Sequence, residues 1–404
     1  MKKIILSLIT LSSIVAANAQ DKKELNVKYR RSSLYTLMVE NPAIPHANTI
    51  KSAFVKGAIP EKFNDHIAGS RLILTDNQED QTENIKNYLE KNNVAKQLVA
   101  KWFNRSKNGG FNMDLIKTRG SYDASMADIA TAKASKRGLE MLADAGEELI
   151  KNTFVLINDY KYVSKEEVAK KASGLLKSVG SLASMAPGGS SISTTTNLAA
   201  TGVTVAGKGY VVKTTAHLYR LDWNEEVAAI FYNDYWADDK TITETKKKAF
   251  DDSNIFKLVY VGTDVSWADV QSTIFTKKTD DELIERATIK AVDAVIVELQ
   301  KNHDEFKTKT PLFTGEPITA KIGVKEGVTT KSKFDVLEQE IDENGKTKYV
   351  VVGSVKVDED FPIWDNRYGA EDENPDSKTD RTHFKKVSGK EFYPGMLIVQ
   401  KKGK

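Results

Sequence analysis

The chain has no cysteine among its 404 residues. Disulfide bonds are therefore excluded, and so is a lipid anchor on an N-terminal cysteine. An excess of charge of one sign is also missing, because 59 Lys and Arg against 56 Asp and Glu leave a formal net charge of +3. This balance gives no support for nucleic-acid binding, which requires a strongly basic surface.

Long apolar runs are absent after the first residues of the sequence. Lys2 and Lys3 precede an apolar stretch over residues 4–17, and Ala17-Asn18-Ala19 supplies the small residues that signal peptidase requires. Residues 1–19 are predicted to be a signal peptide, and the mature charge is then 3 − 2 = +1. We expect an exported protein, in the periplasm, associated with the outer membrane or outside the cell.

The order of patterns predicts an α+β fold with helices packed on a mixed sheet. Residues 20–69 read as an irregular segment, because Pro42, Pro45 and Pro60 break long elements. Residues 70–310 alternate strand and helix patterns, including a predicted strand at residues 111–117 and a helix at residues 280–306.

Residues 311–404 have a different texture, with short apolar runs separated by turn residues. Asn344-Gly345 lies between two alternating runs and predicts a hairpin. We therefore expect a small all-β, barrel-like C-terminal domain.

Residues 172–207 carry one charge, Lys177, in a protein that is 28% charged. One interpretation of this low-charge insertion is a flexible loop rich in Gly and Ser. The other is an interaction arm for a partner subunit or a membrane surface, in which residues 168–185 form a weakly amphipathic helix. The apolar side chains of that helix are Leu175, Leu176, Val179 and Leu182.

Aromatic residues are concentrated between residues 219 and 236. Residues 210–221 and 227–236 read as the two strands of a hairpin. Cross-strand packing explains the aromatic residues, and a platform for a sugar or peptide is the alternative. The residues that would form the platform are Trp223, Tyr232, Tyr235 and Trp236.

Catalytic and ligand-binding motifs are not found. Residues 202–209 approach a phosphate-binding loop but place Gly209 where Ser or Thr would hold the metal. The five histidines are far apart and lack ligand spacing. We predict no catalytic residue, no cofactor and no metal, while a hydrolase with unrecognised carboxylates stays open as an alternative.

Several short stretches resemble an uncharacterised family of exported proteins of Bacteroidetes. They are residues 119–123 (RGSYD), 144–150 (DAGEELI), 152–159 (NTFVLIND), 219–224 (YRLDWN) and 394–398 (PGMLI). The resemblance implies export but no particular activity.

The order of elements is similar to that of curli-export-channel envelope proteins, in which an inserted low-charge hairpin supplies a membrane-facing arm to a ring-shaped oligomer. Residues 320–327 and the strands after them also resemble small β-barrel modules of envelope assembly proteins. We therefore expect a non-enzymatic envelope protein that acts through protein partners or self-association, with peripheral outer-membrane contact and without nucleic acid. A secreted glycan- or peptide-binding protein is an alternative.

Overall fold

A mixed sheet and a closed barrel make up the computed structural model of the protein. The structure describes residues 32–60, 62–74, 81–123, 149–165, 209–271, 278–307, 309–341 and 347–401. The predicted signal peptide and the low-charge insertion, including Leu175, Leu176, Val179 and Leu182, lie outside the described residues.

The first unit contains the mixed sheet and its helices. Its elements up to the fourth strand are β1 (Ser32–Glu40), α1 (Ala47–Lys56), β2 (Phe63–Asp65), β3 (Leu72–Leu74), α2 (Gln81–Lys91), α3 (Val94–Trp102), α4 (Asp114–Asp123) and β4 (Thr153–Ser164). The remaining elements are β5 (Gly209–Leu221), α5 (Glu225–Ile230), α6 (Glu244–Asp252), β6 (Leu258–Gln271) and α7 (Asp280–Asn302).

The sheet has the strand order β2-β1-β4-β5-β6, and β3 also pairs with β1. Strand β1 runs parallel to β2, β3 and β4, whereas β4, β5 and β6 are successive antiparallel neighbours. Leu37 packs against the α2–α3 side and Met38 against the α1–α7 side. Strand β1 is thus buried on both faces, as expected for a central parallel strand.

Helix α7 covers one face of this sheet. The Thr279 side chain accepts a hydrogen bond from the Glu282 backbone N–H, and the Glu282 side chain bonds back to the Thr279 backbone, which together form a capping box. The buried stripe along the helix consists of Leu283, Ala287, Ala291, Val295 and Leu299. The predicted helix is therefore confirmed, although it ends at Asn302.

The second unit is a closed antiparallel barrel. Its strands are β7 (Thr310–Gly315), β8 (Ile318–Ala320), β9 (Lys333–Ile341), β10 (Thr347–Val357), β11 (Thr382–Gly389) and β12 (Leu397–Gln400). They close in the order β10-β11-β8-β7-β12-β9. The predicted α+β class, with a C-terminal barrel, is confirmed.

Two predictions for the N-terminal part of the chain are wrong. Residues 32–65 are not irregular, because β1, α1 and β2 lie there and the three prolines fall in the connections between them. Residues 111–117 do not form a strand, since α4 begins at Asp114. The prolines mark the ends of short elements and not the absence of elements.

Candidate functional site

The aromatic residues predicted as a ligand platform lie together, but in a packed cluster. Trp223, Tyr232, Tyr235 and Trp236 are each half-buried against the α2–α3 side of the sheet. Phe231 is fully buried at the centre, with its ring centroid 4.3 Å from that of Phe103.

The hairpin predicted for residues 210–236 is wrong. Strand β5 is present, but the chain then turns into α5, whose first turn is capped by the Asn224 side chain accepting from the Val227 N–H at 3.0 Å. A π-helical turn follows over Phe231–Tyr235. The composition of residues 227–236 favours a strand, whereas Asn224 favours the start of a helix directly after it. The structure follows the Asn224 cap. The aromatic rings form part of the core, which leaves the platform interpretation without support.

A second candidate site is the outer edge of β6. This strand has 14 residues, and among the strands in the described ranges only β5 pairs with it. An edge strand of this length presents a row of backbone N–H and C=O groups that another strand can pair with. Its sequence contains no Lys, Arg or Pro, the residues that commonly block such pairing.

Apolar side chains are exposed along the same strand. Val259, Tyr260 and Val265 are 40%, 50% and 43% exposed. Val259 and Tyr260 lie on opposite faces of the sheet, because successive side chains of a strand alternate. In the described structure, the outer edge of β6 therefore has backbone groups that no other strand pairs with. Exposed apolar side chains lie on both faces of the sheet beside it.

The charge of Asp264, in the middle of β6, is turned away from the free edge. Its carboxylate accepts hydrogen bonds from Asn302 Nδ2 at 2.6 Å and lies 2.9 Å from His303 Nε2, both at the end of α7. Gly262 permits this approach, because a Cβ there would lie 2.1 Å from the His303 ring. The carboxylate fixes α7 to the strand and does not guard the edge.

A buried polar cluster lies at the other side of the sheet, between β1, β2 and α3. The guanidinium group of Arg119 donates to Ser33 Oγ at 3.0 Å, His66 Nδ1 at 2.9 Å and the Asp65 carbonyl at 2.7 Å. It also stacks on Trp102, 4.3 Å from the ring centroid.

The protonation state of His66 follows from these contacts. Arginine can only donate, so Nδ1 of His66 accepts and Nε2 donates to the Leu98 carbonyl at 3.0 Å. Burial, and then the Arg119 charge, lower the pKa of His66 well below its usual value of 6.5. The imidazole is neutral, and the cluster orders the core and is closed to solvent.

A small crevice lies at the carboxyl ends of β1 and β4, the place where open α/β sheets commonly bind ligands. It is lined by Met38, Glu40, Ile44 and Tyr160, and its cavity volume is about 10 Å³. That volume fits about one water molecule. Within the described ranges, no group of three or more His, Asp and Glu side chains could hold a metal ion.

The comparisons with known proteins do not assign the chain to a family. Neither the protein-family models nor the curated proteins contain a match to this sequence. In the part of the chain that the structure describes, no helix combines the length and apolarity needed to cross a bilayer.

Proposed function

We propose that this chain is a non-enzymatic protein of the bacterial cell envelope that acts through protein–protein contacts and assembles with copies of itself along β6. Export is proposed from the signal-peptide pattern at residues 1–19. Any contact with the outer membrane would be peripheral, and the resemblance to exported Bacteroidetes proteins also implies export.

The observation that carries the proposal is the long edge of β6, which no second strand of the described residues pairs with. Soluble proteins normally protect a long edge strand with a Lys, a Pro, a bulge or a covering element. Here the strand contains a bulge but no Lys, Arg or Pro, and its apolar residues Val259, Tyr260 and Val265 stay exposed. Pairing with a second β6 would satisfy its backbone groups and cover those side chains in one step.

A closed, symmetric assembly is the form we favour. Antiparallel pairing of one β6 with another uses the same surface on both copies, so it produces a two-fold dimer.

The test is the mass of the mature chain, residues 20–404, in solution. Light scattering during gel filtration should show an oligomer for the wild type and a monomer for Val265→Lys, because the charge would be buried against the partner strand. Val387→Lys is the matched control, since Val387 is 55% exposed but lies on the barrel. A wild-type monomer at all concentrations, or equal effects of the two substitutions, would contradict the proposal.

A further inference from the structure

The barrel contacts the sheet unit through a short turn that rests on α7. This turn, Val324–Glu326, is held inside the barrel by Glu326, whose carboxylate accepts from the Gly323 N–H and from Asn366 Nδ2, both at 2.7 Å. Asn366 Oδ1 in turn accepts from the Lys325 N–H at 2.9 Å. The turn therefore presents Lys325 in a fixed position.

The two units fit closely at this place. A Cβ on Gly327 would lie 2.6 Å from Val297 Cγ1 of α7, so only glycine allows the observed approach. Gly327 also has φ = 73°, a backbone conformation that glycine adopts without strain. The glycine at position 327 therefore allows the turn to lie directly against α7.

Charged groups from both units meet beside this contact. Asp293 of α7 is only 14% exposed, and its Oδ1 lies 3.8 Å from Lys325 Nζ of the barrel turn. Lys62, which precedes β2, donates to Gln300 Oε1 of α7 at 3.0 Å. The titratable groups that act on Asp293 are Lys62, Tyr160, Lys325 and Glu326.

Burial dominates the protonation of Asp293. It raises the pKa of the carboxyl from 3.8 to about 6, although the Lys325 and Lys62 charges oppose the shift. Separating the barrel from α7 would remove the Lys325 charge, which lowers the pKa of Asp293, but it would also return water to the carboxylate. Because burial is the larger cause, the net result would be a lower pKa. The docked arrangement therefore takes up a proton between about pH 4 and pH 6, so acid favours docking and a rise in pH through 6 weakens it.

We infer that the contact between the barrel and α7 is a pH-sensitive latch, which protonation of Asp293 closes and its ionisation loosens. The latch is independent of the β6 edge. An exported protein meets wider changes in pH than a cytoplasmic one, and this contact would let the barrel change position while both units stay folded.

The absence of cysteine makes a direct test possible, because two introduced cysteines can be labelled with dyes without background. Glu285→Cys on α7 and Val387→Cys on β11 report the distance between the units by energy transfer at nanomolar concentration. Urea should separate the dyes before circular dichroism reports unfolding. From pH 7.5 to pH 5, docking should become about tenfold more favourable, as a pKa of about 6 in the docked form and of 3.8 in the separated form implies.

Two variants decide the cause. Asp293→Asn should dock equally at both pH values, because an amide resembles the protonated carboxyl. Glu298→Gln, on the same helix and 38% exposed, should keep the wild-type response. The inference is overturned if wild-type docking ignores pH, if Asp293→Asn keeps the response, or if the dyes separate only on unfolding at both pH values.

A covalent lock gives an independent check. The Cβ of residue 327 would lie 3.7 Å from the Cβ of Val297, a normal separation for a disulfide. Oxidised Val297→Cys/Gly327→Cys protein should show no dye separation at either pH before unfolding, here with dyes attached by another chemistry. Separation in the oxidised protein would show that the two units move apart elsewhere.

Discussion

The two sheets of this protein differ in their edges, because one is closed and the other is open. The C-terminal barrel pairs every strand with two neighbours in the order β10-β11-β8-β7-β12-β9, so it has no edge. The mixed sheet instead continues outward to β6, a strand of 14 residues with exposed apolar side chains. Closure removes the backbone groups that a second chain could pair with. Association is therefore expected at the open sheet.

The cores of the two units differ as well. The unit that contains the mixed sheet, called the open unit from here on, surrounds Phe231 with a cluster of aromatic rings. The barrel is filled mostly by aliphatic side chains, with one contacting ring pair, Phe334 and Phe384. Substitutions that act on one unit alone can test whether the units are energetically separate.

The largest effect is expected for Phe231→Ala in the open unit. Its ring lies 4.3 Å from Phe103 and 5.2 Å from Phe111, centroid to centroid, and it is fully buried. Loss of this ring should lower the free energy of unfolding of the open unit by about 3–5 kcal/mol. Calorimetry should show the barrel transition unchanged. A similar loss in both transitions would show that the two units unfold as one.

Gly353→Ala is the corresponding test of barrel closure. Gly353 lies at a register shift between β9 and β10, where a Cβ would approach Ser388 O to 2.4 Å and Phe392 Cζ to 2.6 Å. We expect a loss of about 2–3 kcal/mol from overpacking, confined to the barrel. Calorimetry measures it as a change in the barrel transition. Gly395→Ala is a control for the loss of a glycine, since no atom lies within 4 Å of a Cβ there, although its φ of 93° still adds strain.

His66 of the open unit should give a pH dependence of stability that is opposite in sign to that of Asp293. The native pKa of His66 lies well below 6.5, so the unfolded chain binds a proton that the folded chain excludes. The contribution of His66 to stability is thus complete above pH 6.5 and falls as pH decreases, by at most about 1.4 kcal/mol per pH unit. Urea unfolding of the Asp293→Asn protein between pH 5 and 7.5 measures this slope, because that substitution removes the opposing contribution of Asp293. His66→Gln should flatten it, and an unchanged slope would assign the effect to other groups.

The smallest effect is expected for Thr214→Val on β5. The Thr214 hydroxyl is buried under α7 and has no hydrogen-bond partner within the described residues. Replacing it with a methyl group of similar shape removes the cost of that buried group, so we expect a gain of about 0.5–1 kcal/mol. Thermal unfolding measures the gain, and Thr319→Val in the barrel, where Thr319 Oγ1 is bonded to Thr314 Oγ1, should lose stability instead.

Sequence patterns predicted the elements whose signal is local. Helix α7 is predicted by the helical spacing of its buried residues, and β4 by its run of apolar residues. Strands β9 and β10 are predicted by two alternating runs with turn residues between them. The barrel followed from short strands separated by turn residues. These elements keep their local preference in the folded protein.

Elements that depend on tertiary context were not predicted. Strand β1 has no alternating pattern, because both of its faces are buried. The π-helical turn after α5, Phe231–Tyr235, is rich in aromatic residues, which favour strands. The edge position of β6 is a property of the whole sheet. The sequence of β6 is a long run without Lys, Arg or Pro, but this run indicates an open edge only when the strand order is known. The network around Arg119 joins residues more than 50 positions apart, so spacing could not reveal it.

Hydrogen exchange of the mature chain as a function of protein concentration tests the role of the open edge most directly. If copies associate through β6, backbone amides within Leu258–Gln271 gain protection at high concentration, while those of barrel strands such as β10 do not. Val265→Lys should abolish that gain. Protection that rises in the barrel and not in β6, or that does not depend on concentration anywhere, would contradict assembly through the open edge.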